Sequence, residues 1–96
     1  MILESALLSI KPGQTGAFEQ AFGEAQRLIA SMPGYLSHEL HRCLELENTY
    51  FLLVRWENLE AHTVGFRQSP EYTTWRKLLH HFYEPFPQVL HHERVF

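Results

Sequence analysis

A single cysteine, Cys43, occurs in the chain, so no internal disulfide can form and packing alone must hold the fold. Lys and Arg are few and nowhere form a block. Nucleic acid needs a basic stripe and a membrane-surface helix needs a basic polar face, so neither partner is expected. No apolar run approaches the roughly 20 residues that would span a bilayer. The first ten residues carry Glu4 and no basic flank, so no secretory leader is expected there. These absences predict a cytoplasmic protein. There is also no His-Glu-x-x-His, no Cys-x-x-Cys, no Gly-x-Ser-x-Gly, no phosphate-cradling glycine loop and no dinucleotide fingerprint. No metal and no cofactor are therefore expected, and the predicted partner is a small molecule.

What the chain does have is apolar bulk. Its 96 residues suit one domain, taken as 2–95, and 45% are apolar and 14% aromatic. That is a rich supply for a core of this size, and part of it is available for a partner's surface. Seven histidines are unusual for this length, and protonating them would add seven positive charges to a net charge of −3.

Residues 2–10 alternate loosely, Leu3 and Leu7 against Ser5 and Ser9, and read as a strand. Lys11-Pro12-Gly13 stops it. From Thr15 to Ser31, Phe18, Ala21, Phe22, Ala25 and Ile29 recur three and four apart, which predicts an amphipathic helix ended by Met32-Pro33-Gly34. Tyr35–Leu44 and Tyr50–Trp56 read as strands of an antiparallel hairpin turning at Glu47-Asn48. Asn58 can cap a short helix to about Phe66. Ser69-Pro70-Glu71 starts another, running to about Tyr83 and stopped by Glu84-Pro85-Phe86-Pro87. Residues 89–95 complete the set as a last strand. The order is that of an α+β, ferredoxin-like split βαβ domain with an antiparallel sheet and helices on one face.

Six of the seven residues from Tyr50 to Trp56 are apolar or aromatic, Arg55 being the exception. A strand of that kind wants cover on both faces, and a chain this short has helices for one. A second copy packed sheet on sheet would supply the other, so a homodimer is expected.

Four stretches resemble the antibiotic biosynthesis monooxygenase family. They are Pro33-Gly34-Tyr35, Arg55-Trp56-Glu57-Asn58-Leu59-Glu60-Ala61-His62, Phe66-Arg67-Gln68-Ser69-Pro70-Glu71-Tyr72 with Trp75, and Phe86-Pro87. The resemblance covers about residues 2–95 and implies a dimeric α+β barrel. It implies one of several activities, among them cofactor-free monooxygenation of phenols, quinols and anthrones, haem degradation, and isomerisation. The haem-degrading pattern asks for an asparagine, a tryptophan and a ligating histidine where this chain has Ala6, Phe66 and Arg76, so that branch is not expected. His80 or His81, a helical turn further on, would be the substitute ligand.

The resulting expectation is a cofactor-independent monooxygenase of a small aromatic, phenolic or quinol-type molecule. Its alternatives are a non-catalytic dimer holding a small hydrophobic ligand, and an isomerase of a small metabolite. The expected catalytic residues are His62 as base, with Tyr72 and Trp75 as donor and wall. Phe66, Leu79 and Phe82 are expected to bind substrate, although the inner stripe reads more readily as core at Leu79 and Phe82. His62 reads also as a half-buried histidine bonded to backbone, on a stripe with Leu59 and Phe66. His80 falls with Thr73, Lys77 and Glu84 and is expected in solvent. The pairs His91/His92 and His38/His41 should each point to opposite faces of a strand. Cys43 is expected to be a buried structural residue.

Overall fold

The computed structural model describes all of residues 1–96. Its strands are β1 (Ile2–Ser9), β2 (Tyr35–Arg42), β3 (Thr49–Trp56) and β4 (Val89–Glu93), and its helices are α1 (Thr15–Ala30) and α2 (Pro70–Leu79). A π-helical segment, Ala61–Phe66, precedes α2, and a 3₁₀ turn, His80–Phe82, follows it. The sheet is antiparallel in the order β2-β3-β1-β4, the ferredoxin-like arrangement.

The capping logic of the sequence holds. Ser69 Oγ accepts from the Tyr72 amide at 3.1 Å with Pro70 in the first turn, and Asn58 Oδ1 accepts from the Ala61 amide at 2.9 Å. α1 buries Phe18, Phe22, Ala25 and Ile29, with Ala21 partly covered. Phe18 meets Tyr50 of β3 at 5.0 Å between ring centres and Phe82 at 5.8 Å, which ties both helical layers to the sheet. Each such aromatic contributes about 1.5–3 kcal/mol on burial.

Four expectations are corrected. The residues read as alternating in β1, Leu3 and Leu7 against Ser5 and Ser9, all fall on one face. Glu4, Ala6, Leu8 and Ile10 are buried under the helices, while Leu3, Ser5, Leu7 and Ser9 share the opposite face. The short helix is π-wound, as the bond from the Arg67 amide to the His62 carbonyl records, and the wider turn buries His62 and Phe66 but leaves Leu59 exposed. The last helix gives way at Leu79 to the tighter 3₁₀ turn, which carries His80 off the solvent face. Cys43 lies beyond the end of β2 and is half-buried rather than buried. The histidine pairs do separate: His38 faces Gln26 and Tyr35 while His41 pairs with Glu39, and His91 meets His62 while His92 meets Ser5.

β3 is two-faced in the expected way. Tyr50, Leu52, Val54 and Trp56 are buried under the helices. Phe51 and its β1 partner Leu7 are exposed on the outer face, as is Leu90 of β4.

Gly34 joins this sheet to the segment that carries His62. It has φ +84°, and a Cβ placed on it would lie 2.6 Å from the Ala61 Cβ. Gly13 has φ +80° with open space around it. Gly13→Ala should therefore cost only backbone strain, roughly 1 kcal/mol. Gly34→Ala should add overpacking and cost about 2–4 kcal/mol in total. Urea denaturation of the two variants measures the difference, and equal losses would remove the close approach from the account.

Candidate active site

Between the inner face of the sheet, the π-helical segment and α2 lies a cavity of about 280 Å³. Its floor is Glu4, Ala6, Leu8 and Leu52 from the two central strands. Phe66, Tyr72 and Trp75 form one wall, and His80, Tyr83, Phe86, Pro87 and Val89 form the other. His62 and Arg67 close the polar end. Phe66 stands edge-on to both Tyr72 (5.2 Å) and Trp75 (5.5 Å), an arrangement that keeps rings apart while filling the wall. His80 meets Phe86 edge-on at 4.9 Å, so the 3₁₀ turn has moved it from its expected solvent position into this wall.

The polar end is a buried cluster that the sequence reading did not assemble. Trp56 Nε1–H donates to Glu4 Oε1 at 2.9 Å. The His62 ring stacks on the same indole at 5.4 Å and 28°, with Nε2 3.4 Å from Glu4 Oε1 and Nδ1 2.7 Å from His91 Nε2. Both nitrogens of His62 are thus turned to protein groups. Glu4 is 5% exposed and lines the cavity, and its Oε2 takes no protein hydrogen bond. No buried side-chain N or O is sealed off without a partner, so that oxygen meets open cavity space.

Burial sets the protonation states. Desolvation pushes the Glu4 carboxyl up to about 7, against smaller opposing effects of the Trp56 hydrogen bond and the Arg67 charge. Desolvation, helped by Arg67 and His91, pulls His62 down to about 3 and keeps it neutral. Burial also holds the Tyr83 phenol well above its usual range, so it remains a neutral donor.

Of the residues singled out in the sequence, His62, Phe66, Tyr72 and Trp75 come together around the cavity. Leu79 and Phe82 are buried in the core behind it and do not line it. Ala6 and Phe66, at two of the positions compared with haem-degrading enzymes, line the cavity. Arg76, at the third, is exposed with its guanidinium 6.0 Å from the Tyr72 ring centre. Glu4 was missed, although one signal was present. It is the only charged residue in the even-numbered row Ile2, Glu4, Ala6, Leu8, Ile10 of a strand.

The sequence profile of the family described as antibiotic biosynthesis monooxygenase matches residues 1–78. The chain belongs to that family. A relative from Bacillus subtilis strain 168, the uncharacterized protein YczJ, is 50% identical over 95 residues, spanning 99% of this chain and 100% of its own. A candidate family member from Bordetella bronchiseptica has a crystal structure that superposes with a TM-score of 0.93 at 36% identity, covering 99% of this chain and 97% of that one. SnoaB, a cofactor-independent oxygenase from Streptomyces nogalater, superposes with a TM-score of 0.80 at 19% identity over 97% and 91% of the two chains, which establishes the shared fold. Membership in the family supports a monooxygenase at a coarse level and leaves the substrate to the cavity.

The two buried titrations oppose each other. Between pH 4.5 and about 7 folded Glu4 keeps a proton that the unfolded chain has lost, so its contribution falls as pH rises. Between about 3 and 6.5 folded His62 refuses a proton that the unfolded chain takes, so its contribution rises with pH. In Glu4→Gln only the second remains. Its stability relative to wild type should climb by on the order of 1 kcal/mol per pH unit across the Glu4 window. Denaturation in urea at a series of pH values reads this, and parallel curves for the two proteins would contradict it.

Proposed function

We propose that the protein is a cofactor-independent monooxygenase of a small aromatic, phenolic or quinol-type molecule. The observation that carries this reading is an aromatic-walled cavity whose only ionisable floor residue is a buried carboxyl with a free oxygen. A flat aromatic ring suits the walls of Phe66, Tyr72 and Trp75. An isomerase of a small polar metabolite would call for more polar lining than these walls provide. A non-catalytic ligand site would have no reason to bury a carboxyl at the cost of its hydration.

The chemistry begins with loss of a proton from a methylene or hydroxyl activated by the aromatic system, at the polar end where Glu4 and His62 meet. The electron pair stays on the substrate. The resulting anion passes one electron to dioxygen, and the radical pair combines to a peroxide. For a methylene flanked by aromatic rings, loss of water then leaves a carbonyl. The sum is CH₂ + O₂ → C=O + H₂O, which balances without an external reductant. The Tyr72 and Tyr83 hydroxyls and the Trp75 N–H are the neutral donors able to stabilise the anion. Exclusion of bulk water by the aromatic walls strengthens each of these bonds.

The expected result is oxygen uptake with an anthrone or hydroquinone panel, without added metal or flavin. His62→Ala should reduce it about 100-fold and Trp75→Phe about tenfold. No uptake by wild type, or an unchanged rate in His62→Ala, would sink the proposal.

The reading includes a homodimer in the cytoplasm. The outer sheet face supports the dimer, since Leu7, Phe51 and Leu90 are exposed there and contiguous apolar surface of this kind marks interfaces. Sedimentation should give twice the chain mass. Leu7→Glu, which would place a charge in the centre of that face, should weaken association by at least about tenfold. A monomeric wild type would remove the dimer from the reading.

A further inference from the structure

We infer that Glu4 Oε2 is the atom that takes the substrate proton, and that His62 and His91 form the path by which this proton leaves for solvent. The inference rests on the reading of the cavity as a place where an aromatic substrate is deprotonated. It assigns a task to Glu4 and His91, and moves His62 from base to relay.

Geometry separates the three roles. A base must offer a lone pair to the cavity, and on His62 Nδ1 is engaged by His91 at 2.7 Å while Nε2, 3.4 Å from Glu4 Oε1, is turned to the carboxyl without a hydrogen bond to it. Glu4 offers one, since Oε1 holds the Trp56 N–H at 2.9 Å while Oε2 is left to the cavity. The hydrogen bond from Trp56 and the stacking of His62 on the same indole fix both groups against one rigid plate. Glu4 sits on an interior strand, opposite Val54 on one side and His91 on the other. β4, which carries His91, is the edge strand, and His91 is half-buried there. The line from Glu4 through the His62 ring to His91 therefore runs from the closed floor of the cavity to the rim of the sheet. The remaining ionisable groups around the cavity are Arg67, Tyr72, His80 and Tyr83. None of them makes a hydrogen bond to the carboxyl.

The step itself is a proton transfer. A substrate C–H or O–H bond breaks, its electron pair stays on the substrate, and an O–H bond forms on Glu4. For the exit, the protonated carboxyl turns to present its O–H to His62 Nε2, which accepts that proton as Nδ1–H gives its own to His91 Nε2, after which His91 releases one to water. No electrons move, so the step proceeds without oxygen.

That last property provides the test. Under anaerobic conditions in D₂O, wild-type protein should exchange the methylene protium of an anthrone for deuterium, followed by proton NMR. Glu4→Gln keeps an oxygen for the Trp56 N–H, and should slow exchange by about 100-fold or more. His91→Ala should slow it by about tenfold, with recovery on adding imidazole, which a merely structural role would not give. Wild-type exchange no faster than buffer, or Glu4→Gln within about threefold of wild type, overturns the inference. A His91→Ala rate that is unchanged, or that imidazole does not recover, overturns the relay. Should Glu4→Gln lose its near-ultraviolet circular dichroism, the wild-type pH profile decides. Exchange rising through neutral pH to a plateau supports Glu4, and a flat profile between about pH 5 and 9 overturns it. Oxygen uptake keeps the two readings apart. Exchange that depends on Glu4 without uptake would leave the base in place and remove the oxygenase, while uptake indifferent to Glu4→Gln would do the reverse.

Discussion

The indole N–H of Trp56 reaches across from β3 to Glu4 on β1, with neither side chain open to bulk solvent. Without that donor a carboxyl at this depth would lose its hydration for nothing, a cost of several kcal/mol. With it, the carboxyl is held in one orientation, one oxygen on the indole and one towards the cavity. The same indole carries the stacked His62 ring and stands edge-on to Tyr35 at 6.2 Å, where the chain enters β2. The sheet, the π-helical segment and the polar end of the cavity therefore meet on one rigid side chain. The burial that makes the carboxyl expensive also gives it a proton affinity near neutrality, where a general base works best.

A second constraint is area. Two helices cover one face of a four-stranded sheet and nothing in the chain covers the other. The inner face receives the large aromatics, and the cavity lies among them. Winding matters at both ends of that wall. The wide π turn brings His62 under the sheet's edge with Phe66, and the tight 3₁₀ turn swings His80 inwards against Phe86. Each is a local departure from α-helix at the place where a side chain has to be aimed. A regular helix through either segment would have presented a different residue to the cavity.

Much of the fold was legible in the residues. Caps at Asn58 and Ser69, the proline and glycine stops, and the three-and-four spacing of Phe18, Phe22, Ala25 and Ile29 are local signals, and local signals survive folding. The two-faced strand Tyr50–Trp56 was legible for the same reason. The candidate site was legible only in part. His62, Phe66, Tyr72 and Trp75 lie in one stretch and could be grouped by helical spacing. Glu4 and His91 lie at opposite ends of the chain, and only the register of β1 with β4 sets them side by side. The alternation read in β1 hid Glu4 further, since Leu3, Ser5, Leu7 and Ser9 all lie on one face and leave the buried face unmarked until a partner strand fixes it.

The sequence by itself determined the elements, their order, the α+β class and the family, because capping, turn chemistry and hydrophobic spacing are set by neighbours within a few residues. Tertiary structure decided which face of β1 is buried, how the chain winds between Ala61 and Phe82, and which nitrogen and oxygen atoms meet at Glu4. Those outcomes depend on strand register and on desolvation, and both arise only when segments distant in the chain are pressed together with water removed.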